Sequence, residues 1–229
     1  MNPKISIIIP AYNEEKYIRQ TLHSLKVQTF QDFEVIVVAN GCTDKTEELV
    51  RKRFSQKVKL FSLSEPHVSR ARNYGAEKAQ GEFLLFLDAD TILDATSLQK
   101  INQSFHHQQA IATTKVKPDD SKMKFKVSMM FKNFYNKTGL YKGCGGVLIC
   151  RKEHFFKVQG YDDLVVKEHK KLTDKLLQYG SYMVIDTYAT TSMRRLQNWG
   201  LLKSTFFWTR KWLQDKVGDL RKSEYEMVR

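Results

Sequence analysis

At 229 residues, 41% hydrophobic and 28% charged, the chain has material for one globular domain with an appendage rather than for several domains. Its formal net charge of +13 points to anionic partners: nucleic acid, a phosphorylated small molecule or an acidic membrane surface. Three cysteines, Cys42, Cys144 and Cys150, contain no C-x-x-C pair, which argues against a disulfide framework and for small apolar side chains in a reducing compartment.

Ile5 to Ile9 is a β-branched run stopped by Pro10, too short for a helix and predicted as a buried strand. Asn13, Glu14 and Glu15 are predicted to start a helix whose Ile18, Leu22 and Leu25 form one apolar stripe. Val35 to Val38 is a second strand, and the turn Asn40-Gly41-Cys42-Thr43-Asp44 leads into a charged helix over Lys45 to Phe54. A weaker strand at Val58 to Leu63, a helix near Ser69 to Ala79 and the apolar strand Phe83 to Leu87 follow. Alternating buried strands and helices predict an α/β domain with a mostly parallel central sheet and helices on both faces. Ligands of such sheets bind at the carboxyl ends of the strands.

From Lys115 to Lys137, lysines and aromatics without a firm strand period predict a loop leading into a helix. Three uses fit it: an acceptor-side flap, a surface anchor, or a solvated helix with one buried face. Gly145 and Gly146 precede a strand in GCGGVLIC, a helix follows with Leu172, Leu176 and Tyr179 on one side, and Tyr182 to Asp186 is a last strand. Asn198 to Gly218 is predicted to be a basic amphipathic helix with Leu202, Phe206 and Leu213 on one face and Trp208 and Trp212 on another. With Arg210, Lys211 and Lys216 nearby, the tryptophan face suits an anionic membrane interface, and equally a core contact or a homodimer interface. No apolar run reaches the roughly 18 residues of a membrane span, and MNPK leads into ISIIIP without a charged-then-apolar leader. The expected location is cytoplasmic, free or peripheral on the cytoplasmic face of a membrane.

Asp88 and Asp90 end the apolar run FLLFLDADT one residue apart, and so close together they repel each other. They offer hard oxygen ligands for Mg²⁺ or Mn²⁺ and for a diphosphate bound to that metal, and an extended backbone sends both to one side. A solvated turn capping a following helix is the alternative for an isolated D-x-D.

The motif is not isolated. Pro10-Ala11-Tyr12-Asn13-Glu14-Glu15, Ala39-Asn40-Gly41-Cys42-Thr43-Asp44, Arg72-Asn73-x-Gly75 and Asp88-Ala89-Asp90 occur in that order. Together they resemble the family 2 glycosyltransferases of the GT-A fold, whose first half carries PxYNEE, V(D)xGSTD, ARNxG and DxD. The resemblance implies a Rossmann-like GT-A domain over residues 1–195, with a nucleotide-binding half at 1–91 and an acceptor-side half at 92–195. Residues 196–229 then form the helical extension. It also implies inverting, metal-dependent transfer of a sugar from a nucleotide-diphospho-sugar to a discrete glycan or lipid-phosphate acceptor. A processive synthase is not indicated, since there is no Q-x-x-R-W motif.

By the same resemblance, Pro10, Ala11, Tyr12, Glu14 and Asn40 hold the base and ribose, assisted by Arg72, Asp88 and Ala89. Asp90, with Asp88, ligates Mn²⁺ or Mg²⁺, which acts as Lewis acid on the departing diphosphate. Arg194 and Arg195 resemble the S-x-R-R of some members and, with Gly145 and Gly146, are placed on the diphosphate or acceptor.

Two departures stand out. Ala39-Asn40 occupies the place of a frequent aspartate pair, so the nucleobase preference does not transfer. Within GYDDLVVKEHKKLTDKLLQYG, Glu168-His169 stands where relatives carry Glu-Asp. The base expected to take the acceptor's proton is therefore His169 or Glu168, unless the acceptor is already an anion or catalysis has been lost. A nucleotidyltransferase is the alternative enzyme class, but PAYNEE lacks the glycines and cation of a phosphate loop. A nucleic-acid module is disfavoured because no helix-turn-helix, zinc-finger or RNP-like pattern occurs.

Overall fold

The computed structural model of the chain describes residues 2–54 and 58–217. Its first half follows the strand–helix alternation. β1 (Ile5–Ala11), α1 (Ile18–Lys26), β2 (Phe33–Asn40), α2 (Thr46–Phe54), β3 (Val58–Leu63), α3 (Val68–Lys78) and β4 (Phe83–Leu87) lie close to their predicted positions. Strand β1 is buried over its whole length, as is β4. Successive residues of a strand face opposite sides, so Ile7 and Ile9 meet Leu22, Leu25 and Val50 on one face of the sheet. On the other, Ile8 meets Ala71 and Ala76 of α3. Gly75 lets α3 come down on the sheet: a Cβ there would stand 2.5 Å from Ile8 Cγ2.

The second half adds β5 (Thr91–Leu93), α4 (Ser97–Ser104), β6 (Gln109–Pro118), α5 (Met123–Lys137), β7 (Val147–Arg151), α6 (Lys152–Lys157), α7 (Glu168–Leu176) and β8 (Ser181–Thr191). The sheet order is β3-β2-β1-β4-β7-β6-β8-β5. Pairing is parallel from β3 through β4 and between β6 and β8, whereas β7 runs antiparallel to both its neighbours and β5 antiparallel to β8. Helices cover both faces, as expected: α1, α2 and α4 on one side, α3, α6 and α7 on the other.

Several local expectations are corrected. The loop predicted from Lys115 is the end of β6, where Val116 points into the core between Lys115 and Lys117. Tyr179 lies beyond α7 in a 3-10 turn and stacks on His154. A final helix, α8 (Arg194–Val217), begins ahead of the predicted Asn198 and is interrupted at Gly200 (φ 73°). Phe206 is 71% exposed, and among the described residues of the helix Trp199, Ser204 and Lys211 are buried. The side chains of Leu202, Trp212, Leu213 and Lys216, and position 218, lie outside the described residues. Among the described residues, no helix is long and apolar enough to cross a membrane.

Candidate active site

The carboxyl ends of β1, β2 and β4 gather three loops. Asn13, in the left-handed region at φ 52°, does not cap α1 as predicted; that helix starts at Ile18, whose N–H donates to the Glu14 carbonyl. The Asn13 Oδ1 instead accepts from the backbone N–H of Thr43 (2.8 Å) and Asp44 (3.3 Å). Thr46 Oγ1 accepts from the Glu14 N–H at 2.7 Å, and Asp44 accepts from the N–H of Glu15 and Thr46. These bonds lock the Pro10-to-Glu15 loop onto the turn after β2. Asn40 is buried, and its Oδ1 accepts from the His67 N–H at 2.7 Å, fixing the approach to α3. Pro10 and Ala11 are buried at the end of β1, with Tyr12 half-buried beside them.

Asp88-Ala89-Asp90 is a tight turn rather than an extended run: the Thr91 N–H donates to the Asp88 carbonyl at 3.0 Å. Thr21 Oγ1 donates to the Ala89 carbonyl at 2.7 Å, and the Asp88 N–H donates to the Gly146 carbonyl at 2.9 Å. The turn is thus pinned from α1 and from the loop before β7. Gly146 has φ 88°, and a Cβ there would lie 2.6 Å from Thr91 Oγ1 and 3.5 Å from Asp88 Oδ2. Gly145 is packed directly against Val116.

Each aspartate of the turn has its own arginine. Arg72, buried and stacked over Tyr161 at 5.4 Å, donates to Asp88 Oδ1 (2.8 Å) and Glu168 Oε1 (2.9 Å). Burial opposes ionisation of Asp88, but the Arg72 charge, helped by His169 and Lys132, outweighs it and holds the carboxyl below its usual range. Arg194 reaches Asp90 Oδ2 at 3.1 Å. Here burial dominates: against the pull of Arg194, and with Asp88 and Glu14 adding like charge, the Asp90 carboxyl is pushed up to about 7. Arg194 also grips Glu14 with two hydrogen bonds, at 2.7 and 2.6 Å. Arg195 lies close enough for its charge to act on Asp90 and stacks over Trp199 at 5.8 Å.

Opposite the turn, His169 Nδ1 pairs with the Tyr161 hydroxyl at 2.9 Å, and Tyr161 is wedged edge-on against Phe86 of β4. Burial, and then the charge of Arg72, lower the imidazole to about 4. It is neutral at pH 7, and its buried Nε2 has no hydrogen-bond partner among the described residues. A neutral ring held at one nitrogen and unpartnered at the other has a lone pair that can accept a proton once a donor reaches it.

Residues 6–159 match the sequence model of Glycosyl transferase family 2. The chain belongs to glycosyl transferase family 2. Over 101 residues it is 40% identical to an uncharacterized glycosyltransferase of Haemophilus influenzae, a match covering 43% of this chain and 40% of that protein. Over 101 residues it is 38% identical to poly(ribitol-phosphate) beta-N-acetylglucosaminyltransferase TarS of Staphylococcus aureus, covering 42% of this chain and 18% of TarS. The matched stretch is thus less than half the length of these curated relatives. Among solved structures, S. aureus TarS 1–349 in complex with UDP-GlcNAc superposes with a TM-score of 0.67 at 27% identity, covering 82% of this chain and 58% of that one. The mannosyltransferase PcManGT of Pyrobaculum calidifontis, in complex with GDP-Man and Mn²⁺, shares the fold with a TM-score of 0.69 at 19% identity, covering 83% and 57%.

No group of three or more His, Cys, Asp or Glu side chains converges as a metal cage among the described residues. What the site has is Asp90, buried and beside the like charges of Asp88 and Glu14, its carboxyl pushed up to about 7, so that a cation there would favour its ionised form. Mg²⁺ and Mn²⁺ beside phosphates are commonly held by one or two carboxylates plus the phosphate oxygens, and these residues fit that mode.

One residue of this family 2 site escaped the sequence reading. Lys132 sits on the inward face of α5, one turn from buried Met129 and Asn136, where its charge bears on Cys144 and Asp88. Burial lowers its pKa, and among the described residues no carboxylate comes within ion-pair distance of it. The available signal was its place at i+7 from Phe125, on the buried stripe of a helix otherwise lined with exposed lysines.

Proposed function

We propose that the chain is an inverting, metal-dependent glycosyltransferase that moves a sugar from a nucleotide-diphospho-sugar to a discrete, anionic acceptor such as a lipid phosphate or phosphorylated glycan. The observation that carries this reading is the convergence on Arg72 of Asp88, from the nucleotide side, and Glu168, beside His169 on the acceptor side.

The loop from Pro10 to Glu14 and the end of β2 at Asn40 receive the nucleoside, with Ala89 at the floor. Asp90 and Asp88 hold Mn²⁺ or Mg²⁺, which when bound supplies positive charge to the departing diphosphate. Arg194, Arg195 and Lys132 add fixed cations around the same phosphates, where charge grows as the sugar–phosphate bond breaks and its electron pair leaves with the nucleotide. Gly145 and Gly146, packed against Val116 and Thr91, let the loop before β7 lie close beside Asp88 on the sugar side. The acceptor oxygen attacks the anomeric carbon from the opposite face, which inverts it. His169 Nε2 takes the acceptor's proton; Tyr161 then serves as acceptor for Nδ1–H, leaving the Nε2 lone pair free. Glu168 holds Arg72 in place and stabilises the imidazolium. The hydroxyl of a phosphorylated glycan needs that proton transfer; a lipid phosphate attacking through its own anionic oxygen would not, and His169 would then be dispensable.

UDP-sugars are the first donors to try, because TarS, the relative at 27% identity, was solved with UDP-GlcNAc. The test is thermal stabilisation by UDP-, GDP- and dTDP-sugars with and without Mn²⁺. A donor at about 100 times its Kd stabilises by ~2.7 kcal/mol. No shift with any nucleotide would overturn the reading, and a shift independent of metal would remove the cation from it. We place the protein in the cytoplasm, free or peripheral on the cytoplasmic face of a membrane.

A further inference from the structure

Helix α5 is apolar on two opposite sides. At 3.6 residues per turn, Phe125, Met129, Lys132 and Asn136 fall at i, i+4, i+7 and i+11 and form the inward stripe. Met123, Val127, Met130 and Phe134 repeat the same spacing half a turn away, on the face turned to solvent. Met130 is 61% exposed, Phe131 54% and Phe134 59%, with Tyr135 also exposed at the margin. A solvent-facing helix surface ordinarily carries charges, and an apolar one of this extent marks an interaction site.

What flanks the face indicates its occupant. The helix carries four lysines and no carboxylate. Lys124 borders the apolar face on one side and Lys126 and Lys137 on the other, all exposed. Lys126 and Lys137, with Met130 and Phe134, also line a groove of about 680 Å³ between α5 and the ends of β6 and β8. Lys115 and Lys117 in that groove are paired with Asp186 and Asp94, whereas Lys126 and Lys137 have no ion-pair partner among the described residues. Asp119 and Asp120 line its far end, the first bonded to the Met193 N–H and the second to the Lys122 N–H. A second copy meeting this face about a two-fold axis would set lysines against lysines, which opposes a symmetric dimer. Apolar side chains in the middle with cations at the rims match an anionic bilayer, where the first enter the acyl boundary and the second meet headgroups.

We propose that the solvent face of α5 is a membrane-docking surface for anionic lipid, with Met130, Phe131 and Phe134 inserted and Lys124, Lys126 and Lys137 on headgroup phosphates. This places the bilayer contact on α5 rather than on the tryptophan helix. The inward stripe of the same helix carries Lys132 toward Asp88, so lipid surface and cleft are separated by about one helix diameter, ~10 Å. The docking does not depend on the sugar chemistry and is tested without it.

The experiment is co-sedimentation of the full chain with vesicles of phosphatidylcholine alone or with about 30% phosphatidylglycerol. Binding is expected to the anionic vesicles, weaker in about 0.5 M salt but not abolished. Met130→Ser with Phe131→Ser and Phe134→Ser should weaken it at least about tenfold with an unchanged thermal melt, since these side chains are already exposed. Lys126→Glu with Lys137→Glu should weaken it on anionic vesicles only. The proposal falls if the chain does not bind anionic vesicles, or if the triple substitution leaves binding intact. It falls equally if Trp208→Ser alone abolishes binding, or if the chain is a dimer in solution that the triple substitution dissolves.

Discussion

Arg194 and Glu14 lie 180 positions apart in the chain and form a two-pronged ion pair at 2.7 and 2.6 Å. The pair ties the loop after β1 to the first turn of α8. Both side chains are largely withdrawn from water, at 15% and 5% exposure, so the contact is unlike a surface salt bridge. Arg194 also touches Asp90, which makes it the built-in counter-charge of the acidic cluster.

Arg194→Met leaves Glu14 and Asp90 without that counter-charge. Breaking a buried pair from one side costs ~3–5 kcal/mol, and we expect a lowered melting temperature of that order. Added Mn²⁺ should recover part of the loss, because a cation can replace the missing charge. A melt that is unchanged by the substitution contradicts the role.

His169 sets the pH behaviour. Its pKa is about 4 in the folded chain against 6.5 for an ordinary histidine. Between those values the unfolded chain binds a proton at this position and the folded chain does not, so stability falls as pH falls through that window. Replacing His169 with Gln should flatten the slope there. At saturating Mn²⁺, which holds Asp90 ionised, donor turnover, needing neutral imidazole, should stay level from pH 8 down toward pH 5; an acid limb centred near 6.5 under those conditions would refute the assignment. His169→Ala should lower turnover by about 10²-fold or more.

Lys132→Met separates a functional charge from a structural one. Removing a half-buried ammonium that has no ion pair should leave stability unchanged or improved. Turnover should nonetheless drop about tenfold or more, if the charge serves the diphosphate. Equal turnover in variant and parent would exclude Lys132 from the site.

Gly146→Ala and Gly139→Ala form a matched comparison. Both glycines have positive φ, 88° and 72°, but a Cβ at Gly146 runs into Thr91 while one at Gly139 meets nothing within 4 Å. The backbone term alone is ~1 kcal/mol or somewhat more. Urea unfolding should show Gly139→Ala losing about that much and Gly146→Ala clearly more, with donor binding lost only in the latter.

The first half of the fold was legible because its strands are continuous apolar runs and its helices carry full stripes, such as Ile18, Leu22 and Leu25. The second half was less so. In β6 the core position Val116 is flanked by Lys115 and Lys117, too short an alternation to stand out from a lysine-rich text. β5 spans three residues and borrows its stability from β8. At the site, the loops and the acidic turn could be read from motif order. Their partners could not: Arg72 meets Glu168 across 96 positions, and only packing brings them together. Asn13 looked like a helix cap because its chemistry is that of one; here the same side-chain carbonyl serves a neighbouring loop instead.

Arg72 has a consequence beyond holding two carboxylates still. A single guanidinium answers to Asp88 on one arm and to Glu168 on the other, so any ligand that draws on Asp88 changes the field in which Glu168 and His169 work. Under the proposed reading, occupancy at Asp88 by the nucleotide and proton affinity at His169 beside the acceptor are then reciprocal quantities. By whatever factor a bound donor alters the basicity of the imidazole, protonating the imidazole must alter the affinity for the donor by the same factor. One buried cation makes the turn after β4 and the start of α7 a single thermodynamic unit.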